Sequence, residues 1–396
     1  MRKAIYVHPW DIFEEGASHV LETMKNMNLN SMNIATVYHA GRFLLPHNIL
    51  RKVVSAEEGV AYFNYDQEYF NKTNLKPVRN KKYKDRDVLK EIQEANESYG
   101  IELTSWTVLF HNEALSTSHP EVAVVDPFGF PDINNICPNS SDSRNYASGI
   151  IQNMIDSYGI KTFQLESMFF PGGLIHGNHH EVFGVNVTET MDFLFSICYC
   201  KVCLSMAKQK GYNLEGAIPV IRSYIKESVT DFSKVNQLKL QSKEDIIRSE
   251  LKKIDVEYLI DLKDEMCKEV VESIIDSISV SASRVDIEVI SNVQRPFESF
   301  HMNKIPEGIK AIDLLVYFND PMVLRKKLRE SLEMLRGDVD LYPSIRINYP
   351  VIQNEVQLYE ILNTLKEFKL KGFNLYNYGW TPMEILNKTG RYISNW

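Results

Sequence analysis

The chain has 396 residues and a formal net charge of −8, a length that suits one large α/β barrel or two ordinary domains. The mildly acidic balance, without a basic tract interleaved with aromatic residues, argues against nucleic acid as the main partner. The N-terminal residues hold no apolar core of signal-peptide length, and no apolar run approaches the ~20 residues that cross a bilayer. We therefore expect a cytoplasmic protein with no membrane partner.

Eight β-rich apolar runs alternate with helix-like segments along the chain. The runs span residues 3–8, 31–39, 101–111, 160–167, 285–292, 311–320, 342–348 and 372–379. Apolar residues at helical spacing predict helices that include 12–28, 321–336 and 354–370. This alternation predicts an α/β fold, a (β/α)8 TIM barrel that fills residues 1–396 as a single domain.

Helix boundary signals support this assignment. Asp320 and Pro321 have the residue types of an N-cap followed by the first helical position. Gly100 and Gly159 each stand between a helix-like segment and an apolar run, where a left-handed residue commonly ends a helix. Ser140 and Ser141 are suited to the start of the helix that leads into the fourth strand.

Two connections are longer than a plain barrel needs. Residues 40–84 follow the second strand and residues 112–139 follow the third, and we expect the first of them to be irregular. Both leave carboxyl ends of strands, where barrel enzymes build their sites. Between strands four and five, residues 185–280 are predicted to form a helical insertion that carries a cysteine cluster.

Three of the five cysteines lie in one short stretch, SICYCKVC at 196–203. Cys198, Cys200 and Cys203 offer three sulfur ligands, and zinc prefers four in a tetrahedron. Cys137 is the candidate for the fourth ligand, because it precedes the helix that leads into the fourth strand. Small buried thiols and redox chemistry are the alternatives. Cys267 lies in a charged helix and is not predicted to bind a metal.

Two cysteine segments resemble a known family. The segments ICPNSSDSRNYA (136–147) and CYCKVC (198–203) flank a strand that ends in a carboxylate, and together they are similar to the family 42 glycoside hydrolases. These are β-galactosidases of the clan-A barrels. The resemblance covers about 70 residues and the barrel outline. It implies a structural Zn²⁺ bound by Cys137, Cys198, Cys200 and Cys203.

The same resemblance assigns a role to the end of strand four. In FQLES, Gln164 and Glu166 lie on one face, and the position of Glu166 holds the general acid/base in the resembling family. A structural carboxylate paired with an interior arginine is the alternative. The family's Asn before this residue is Leu165 here.

The family's second carboxylate, a nucleophile at the end of strand seven, is missing from YPSIRIN. A glycosidase needs two carboxyl groups about 5 Å apart for retention or about 6.5–9.5 Å apart for inversion. Five other carboxylates are candidates to replace it and none stands out, since we expect Glu288 to pair with Arg346 and Asp320 to cap a helix. The five are Asp320, Glu288, Glu298, Glu113 and Asp11.

Histidines gather at one rim of the predicted barrel. His8, His39 and His111 each fall at the end of a predicted strand, and HGNHHE at 176–181 follows strand four. Histidines here could bind a polyhydroxylated substrate, hold a catalytic metal, or simply cap strands. We expect a small-molecule carbohydrate substrate. The predicted substrate-binding residues are His8, His39, Arg42, Trp106, His111, Gln164, His179, His180, Arg346, Asn348 and Tyr376.

The sequence thus favours a glycoside hydrolase, or an enzyme like one, that acts on a carbohydrate through Glu166. A metal-dependent barrel enzyme using the histidine rim is one alternative, and a barrel that binds carbohydrate without hydrolysing it is the other. The resembling family often forms trimers, so a homo-oligomer stays open, although nothing in the sequence specifies an interface.

Overall fold

The structure of the chain is a computed structural model. It describes residues 1–84, 86–170, 173–174, 187–230, 242–278, 285–292, 304–394 and 396.

Eight parallel strands form a closed barrel. In chain order they are β1 (Arg2–Val7), β2 (Ser31–Tyr38), β3 (Glu102–Val108), β4 (Thr162–Glu166), β5 (Asp286–Asn292), β6 (Ile309–Leu315), β7 (Asp340–Arg346) and β8 (Gly372–Tyr376). Each strand pairs with the next, and β1 also pairs with β8, which closes the sheet. The predicted TIM barrel is confirmed, and each of the eight predicted runs contributes one strand.

The strands form because their residues can be buried on both faces. All eight residues of β2, SMNIATVY, are buried. Strands of a parallel barrel carry apolar residues toward the helices and a second set toward the barrel interior. The barrel interior here receives polar as well as aromatic side chains, and these form the floor of the candidate site.

Helices surround the barrel. Those described are α1 (Pro9–Glu15), α2 (Ala17–Asn26), α3 (Val88–Asn96), α4 (Glu113–Ser118), α5 (Ser141–Tyr158), α6 (Glu189–Phe195), α7 (Lys201–Gln209), α8 (Leu214–Thr230), α9 (Lys243–Lys253), α10 (Leu259–Ser277), α11 (Pro321–Met334), α12 (Glu355–Lys366) and α13 (Met383–Ile393). Helices α6–α10 lie between β4 and β5, in the region of the predicted insertion. Whether the chain forms a single domain stays a prediction.

Local signals explain most helix boundaries. The Asp320 side chain accepts a hydrogen bond from Met322 N (2.7 Å) and caps α11, as predicted. Gly159 ends α5 in the left-handed conformation, with φ of 64°. The single helix predicted over 12–28 is wrong, because Gly16, with φ of 90°, separates α1 from α2.

The connection after β2 is more regular than expected. It contains an antiparallel hairpin of Gly41–Leu44 with Val53–Ala56, and Val60–Ala61 pairs with the end of β2. The connection after β3 holds α4 and a second antiparallel pair, Ala123–Val125 with Pro131–Ile136. The connection over 40–84, which was predicted to be irregular, therefore contains regular strands.

No helix in the described part of the chain has the length and apolar character needed to span a bilayer.

Candidate functional site

A cavity of about 1200 Å³ opens at the carboxyl ends of the barrel strands. This is the end of the barrel where TIM-barrel enzymes carry their active sites. Its walls combine aromatic rings with a few polar groups, as in sites that bind small polar ligands. The rings come from several strands and the loops after them: Tyr6, Tyr38, Trp106, Tyr317, Tyr376 and Trp380.

Glu166 lies on the wall of this cavity as the last residue of β4. Trp106 Nε1, from the neighbouring strand β3, donates a hydrogen bond of 2.6 Å to Glu166 Oε2. Among the described residues that line the cavity, Glu166 is the one carboxylate. The predicted position of this side chain at the barrel mouth thus agrees with the structure, while its catalytic role stays a prediction.

The backbone after Glu166 turns sharply. Ser167 has φ of 51°, in the left-handed region that residues other than glycine seldom occupy. Two backbone hydrogen bonds keep the turn in place, from Leu109 N to Glu166 O and from Phe110 N to Ser167 O, each 3.0 Å. Such an outlier beside a cavity carboxylate is a common feature of functional sites.

Arg346 stands at the end of β7, where the resembling family has its second carboxylate. Its guanidinium lies over the ring of Tyr317 at 4.8 Å and near the rings of Tyr376 at 5.6 Å and Trp380 at 5.9 Å. The cavity therefore places a cation among aromatic rings. Burial, followed by the negative charge of Glu166, raises the pKa of Tyr376 far above its usual value, so that its hydroxyl stays protonated.

The remaining predicted binding residues divide by location. His39, Arg42, His111 and Asn348 line the cavity together with Trp106, Arg346 and Tyr376. Arg42 is exposed on the hairpin after β2, and Asn348 donates to Thr381 Oγ1 at 3.3 Å. His179 and His180, with the candidate carboxylate Glu298, lie outside the described residues.

Gln164 lies below the cavity, in a buried polar layer inside the barrel. Its Nε2 donates to Asp313 Oδ1 at 2.8 Å, and Asn374 Nδ2 donates to the same oxygen at 2.7 Å. Arg2 closes the layer with two hydrogen bonds to Glu288, of 2.5 and 2.8 Å. The expected pairing of Glu288 with Arg346 is wrong, because Arg2 enters the barrel from the amino end of β1.

His8 is also buried, and it does not line the cavity. Its ring stacks on Trp10 with centroids 4.4 Å apart and meets Tyr38 edge-on at 5.0 Å. Its imidazole nitrogens have no hydrogen-bond partner in the described part of the chain. Burial, followed by the charge of His39, lowers the pKa of His8 well below its usual value, so this imidazole is neutral in the folded protein.

Among the cavity residues that sequence reasoning did not single out are Tyr6 and Tyr317. Tyr6 lies on β1, and Tyr317 lies two residues after Leu315, which also lines the cavity. The period-2 alternation of a strand is the signal that could have found them.

The four predicted cysteines come together outside the cavity. Their sulfur atoms all lie within 4.8 Å of one another, with Cys137 3.5 Å from Cys203 and 3.7 Å from Cys200. Zinc with bonds of ~2.3 Å in a tetrahedron separates its sulfurs by about 3.8 Å, so the four residues fit this ion. All four are free thiols, as is Cys267, which is buried elsewhere.

Backbone N–H groups beside the cluster can stabilise negative charge on sulfur. Val125 N donates to Cys198 Sγ at 3.4 Å, and Cys203 N donates to Cys200 Sγ at 3.5 Å. Hydrogen bonds among the thiols lower the pKa of Cys200, that of Cys137 first, and raise the pKa of Cys137 and of Cys203, so Cys200 is the thiol of these three that ionises most readily. Thiolate is the form that binds metal, so the donor set and its environment agree with a metal site.

No protein-family model and no curated protein matches the chain. Solved structures with similar folds include glycoside hydrolases. Gan42B, a GH42 β-galactosidase from G. stearothermophilus, is 14% identical with a TM-score of 0.55, and the match covers 98% of this chain and 56% of that one. The β-galactosidase of Halorubrum lacusprofundi is 12% identical with a TM-score of 0.56, covering 99% and 58%.

Other glycosidases share the barrel. α-L-Fucosidase isoenzyme 2 from Paenibacillus thiaminolyticus is 11% identical with a TM-score of 0.51, covering 100% of this chain and 49% of that one. The chain thus spans about half the length of the fucosidase and of the two β-galactosidases. At these identities the likeness establishes the fold, a barrel of the type found in GH42 enzymes and other glycoside hydrolases.

Proposed function

We propose that this protein is an enzyme of the glycoside hydrolase type, which binds a carbohydrate in the barrel cavity and uses Glu166 as its general acid/base. The observation that carries the proposal is the position of Glu166 at the end of β4, on the cavity wall and hydrogen-bonded to Trp106. The resemblance in the cysteine segments and the shared glycosidase fold support it.

Glu166 has the chemistry that cleavage of a glycosidic bond requires. A carboxylic acid protonates the leaving oxygen while the bond from that oxygen to the anomeric carbon breaks, and the resulting carboxylate can accept a proton from a water that bonds to the same carbon from the face that the leaving group vacates. Trp106 holds one oxygen of the group and so fixes its orientation. General acid catalysis of this kind contributes about 10²–10⁴ in rate.

Arg346 occupies the position where the resembling family has its nucleophilic carboxylate. A double displacement through a carboxylate on β7 does not operate here, because that position holds an arginine. Its guanidinium and the Asn348 side chain instead offer donors to a hydroxyl or an anionic group of the sugar. Trp106, Tyr376 and Trp380 provide ring faces and edges for the apolar side of the sugar.

A second candidate function is binding of a carbohydrate without hydrolysis. The specific observation in its favour is that Glu166 is the one carboxylate among the described cavity residues, whereas glycosidases ordinarily use two. The two candidates predict the same ligand and differ only in turnover.

A panel of aryl glycosides tests both functions. We expect wild-type protein to release the aryl group from at least one sugar, and Glu166→Gln to release it at least about 100-fold more slowly. Glu102→Gln is the matched control, because Glu102 is exposed at the amino end of β3. Binding followed by tryptophan fluorescence without release would support the second candidate, and absence of both would contradict the proposal.

We also propose that Cys137, Cys198, Cys200 and Cys203 bind a structural Zn²⁺. The ion would join the loop before α5 to the start of α7, two segments far apart in sequence. We expect one zinc equivalent by elemental analysis, lost in Cys198→Ser with a lowered Tm, and kept in Cys267→Ala. Wild-type protein that folds with equal stability in the presence of a strong chelator would contradict a structural role.

A further inference from the structure

Two of the cavity histidines stand beside a buried carboxylate. His39 follows β2, His111 follows β3, and Glu113 is the first residue of α4. One ligand atom from each lies within 4.8 Å of the others, and the two imidazole rings have centroids 5.0 Å apart. This group is separate from the four cysteines and shares no residue with them.

The hydrogen bonds of both rings determine which nitrogen carries the proton. His39 Nδ1 lies 2.6 Å from the carbonyl oxygen of Ala40, which can only accept. His111 Nδ1 lies 3.0 Å from Asn135 Oδ1, and the amide nitrogen of Asn135 donates to Asp132 at 2.6 Å, which fixes Oδ1 as the acceptor. Each Nδ1 is therefore an N–H donor, and Nε2 is the nitrogen through which the neutral ring would bind a metal.

This arrangement is the one that metal-binding histidines adopt. Such histidines donate the second ring N–H to a carbonyl or carboxylate, which orients the ring and makes the other nitrogen a better ligand. Two imidazoles and one carboxylate form a ligand set for Zn²⁺, Mn²⁺ or Fe²⁺ that leaves coordination positions open.

The spacing of the ligand atoms is compatible with a shared ion. His111 Nε2 lies 3.8 Å from Glu113 Oε1, which is too long for a direct hydrogen bond. An ion with bonds of ~2.0–2.1 Å holds two ligand atoms about 3.3 Å apart at the tetrahedral angle and up to about 4.1 Å apart at wider angles. Glu113 Oε1 is itself held by the backbone N–H of Ala40 at 3.2 Å.

We propose that His39, His111 and Glu113 bind a divalent transition-metal ion at the cavity wall. Both histidines line the cavity, so a ligand bound there could reach the remaining coordination positions of the ion. An oxygen of that ligand, from a hydroxyl or a carboxylate group, would complete the coordination. The site does not depend on hydrolysis, and it would serve a carbohydrate or another oxygen-rich ligand equally.

Cobalt titration of the full-length protein tests this site. With the cysteine cluster filled by zinc, Co²⁺ added to wild type should bind as one further equivalent, with weak visible absorption bands and no sulfur-to-metal charge-transfer band. We expect His39→Ala and Glu113→Gln each to raise the dissociation constant of this Co²⁺ at least about 100-fold. His119→Ala is the matched control, because His119 is a partly exposed histidine outside the cavity lining.

Two variants are used so that a failure of one of them to fold does not prevent the test. Glu113→Gln preserves the size of the side chain, so loss of Co²⁺ in a variant with unchanged circular dichroism supports the site even where His39→Ala fails to fold. The proposal would be overturned if wild-type protein bound no Co²⁺ in addition to the metal ion held by the four cysteines. It would also be overturned if both variants still bound a further equivalent of Co²⁺ at wild-type affinity.

Discussion

The buried His8 makes a quantitative prediction about stability and pH. Its ring is fully buried against Trp10 and Tyr38, and burial lowers its pKa well below the ordinary 6.5. In the unfolded chain the same imidazole titrates near pH 6.5. Between pH 7 and pH 5 the unfolded state therefore binds a proton that the folded state does not, so the free energy of unfolding falls as pH falls.

The size of this effect follows from linkage. As long as the native imidazole stays neutral at pH 5, protonation of the unfolded chain lowers the free energy of unfolding by about 2 kcal/mol relative to pH 7. His8→Phe keeps a ring against Trp10 and removes the titrating group. Its free energy of unfolding should thus fall by about 2 kcal/mol less than that of wild type over this range.

Urea unfolding of both proteins at pH 7, 6 and 5 measures the difference. Comparing pH dependences removes any constant change in stability that the substitution causes, and other titrating groups, such as the buried Asp11, are present in both proteins. Equal pH dependences would refute the reasoning, because they would mean that His8 is protonated to the same extent in the folded and unfolded chains.

Three further substitutions test the cavity and the polar layer below it. Arg2→Met should lower the free energy of unfolding by about 3–5 kcal/mol in urea, because Glu288 loses its buried partner; a change below about 1 kcal/mol would contradict this. Gln164→Leu should cost about 1–3 kcal/mol of stability yet leave ligand affinity within twofold, and a large loss of affinity in calorimetry would return Gln164 to the binding residues. Trp106→Phe keeps a ring but removes the donor to Glu166, so kcat should fall about tenfold or more; an unchanged kcat would show that this hydrogen bond has no catalytic role.

The barrel could be predicted from sequence because each strand has a recognisable local sequence pattern. Runs such as SMNIATVY carry β-branched and aromatic residues that can be buried on both sides, and boundary residues such as Asp320 and Gly159 act within a few positions. Gly16 shows the limit of this approach. Periodicity continued across it, but one residue at φ of 90° divided the helix.

Contacts between distant residues could not be predicted in the same way. Glu288 pairs with Arg2, 286 positions away, and no local pattern distinguishes that partner from Arg346. His8, His39 and His111 looked alike, since each follows a strand. The aromatic rings around His8 bury it, whereas the other two reach the cavity, and this difference depends on tertiary packing.

The dependence of cleavage on the leaving group tests the central claim about Glu166 most directly. For a sugar that wild type accepts, kcat/KM is measured with a phenyl and a dinitrophenyl leaving group, in wild type and in Glu166→Gln. A general acid matters most for a poor leaving group, so we expect a loss of about 10²–10⁴ for the phenyl glycoside and a much smaller loss for the dinitrophenyl glycoside. An equal loss for both substrates would contradict the assignment of Glu166 as the proton donor.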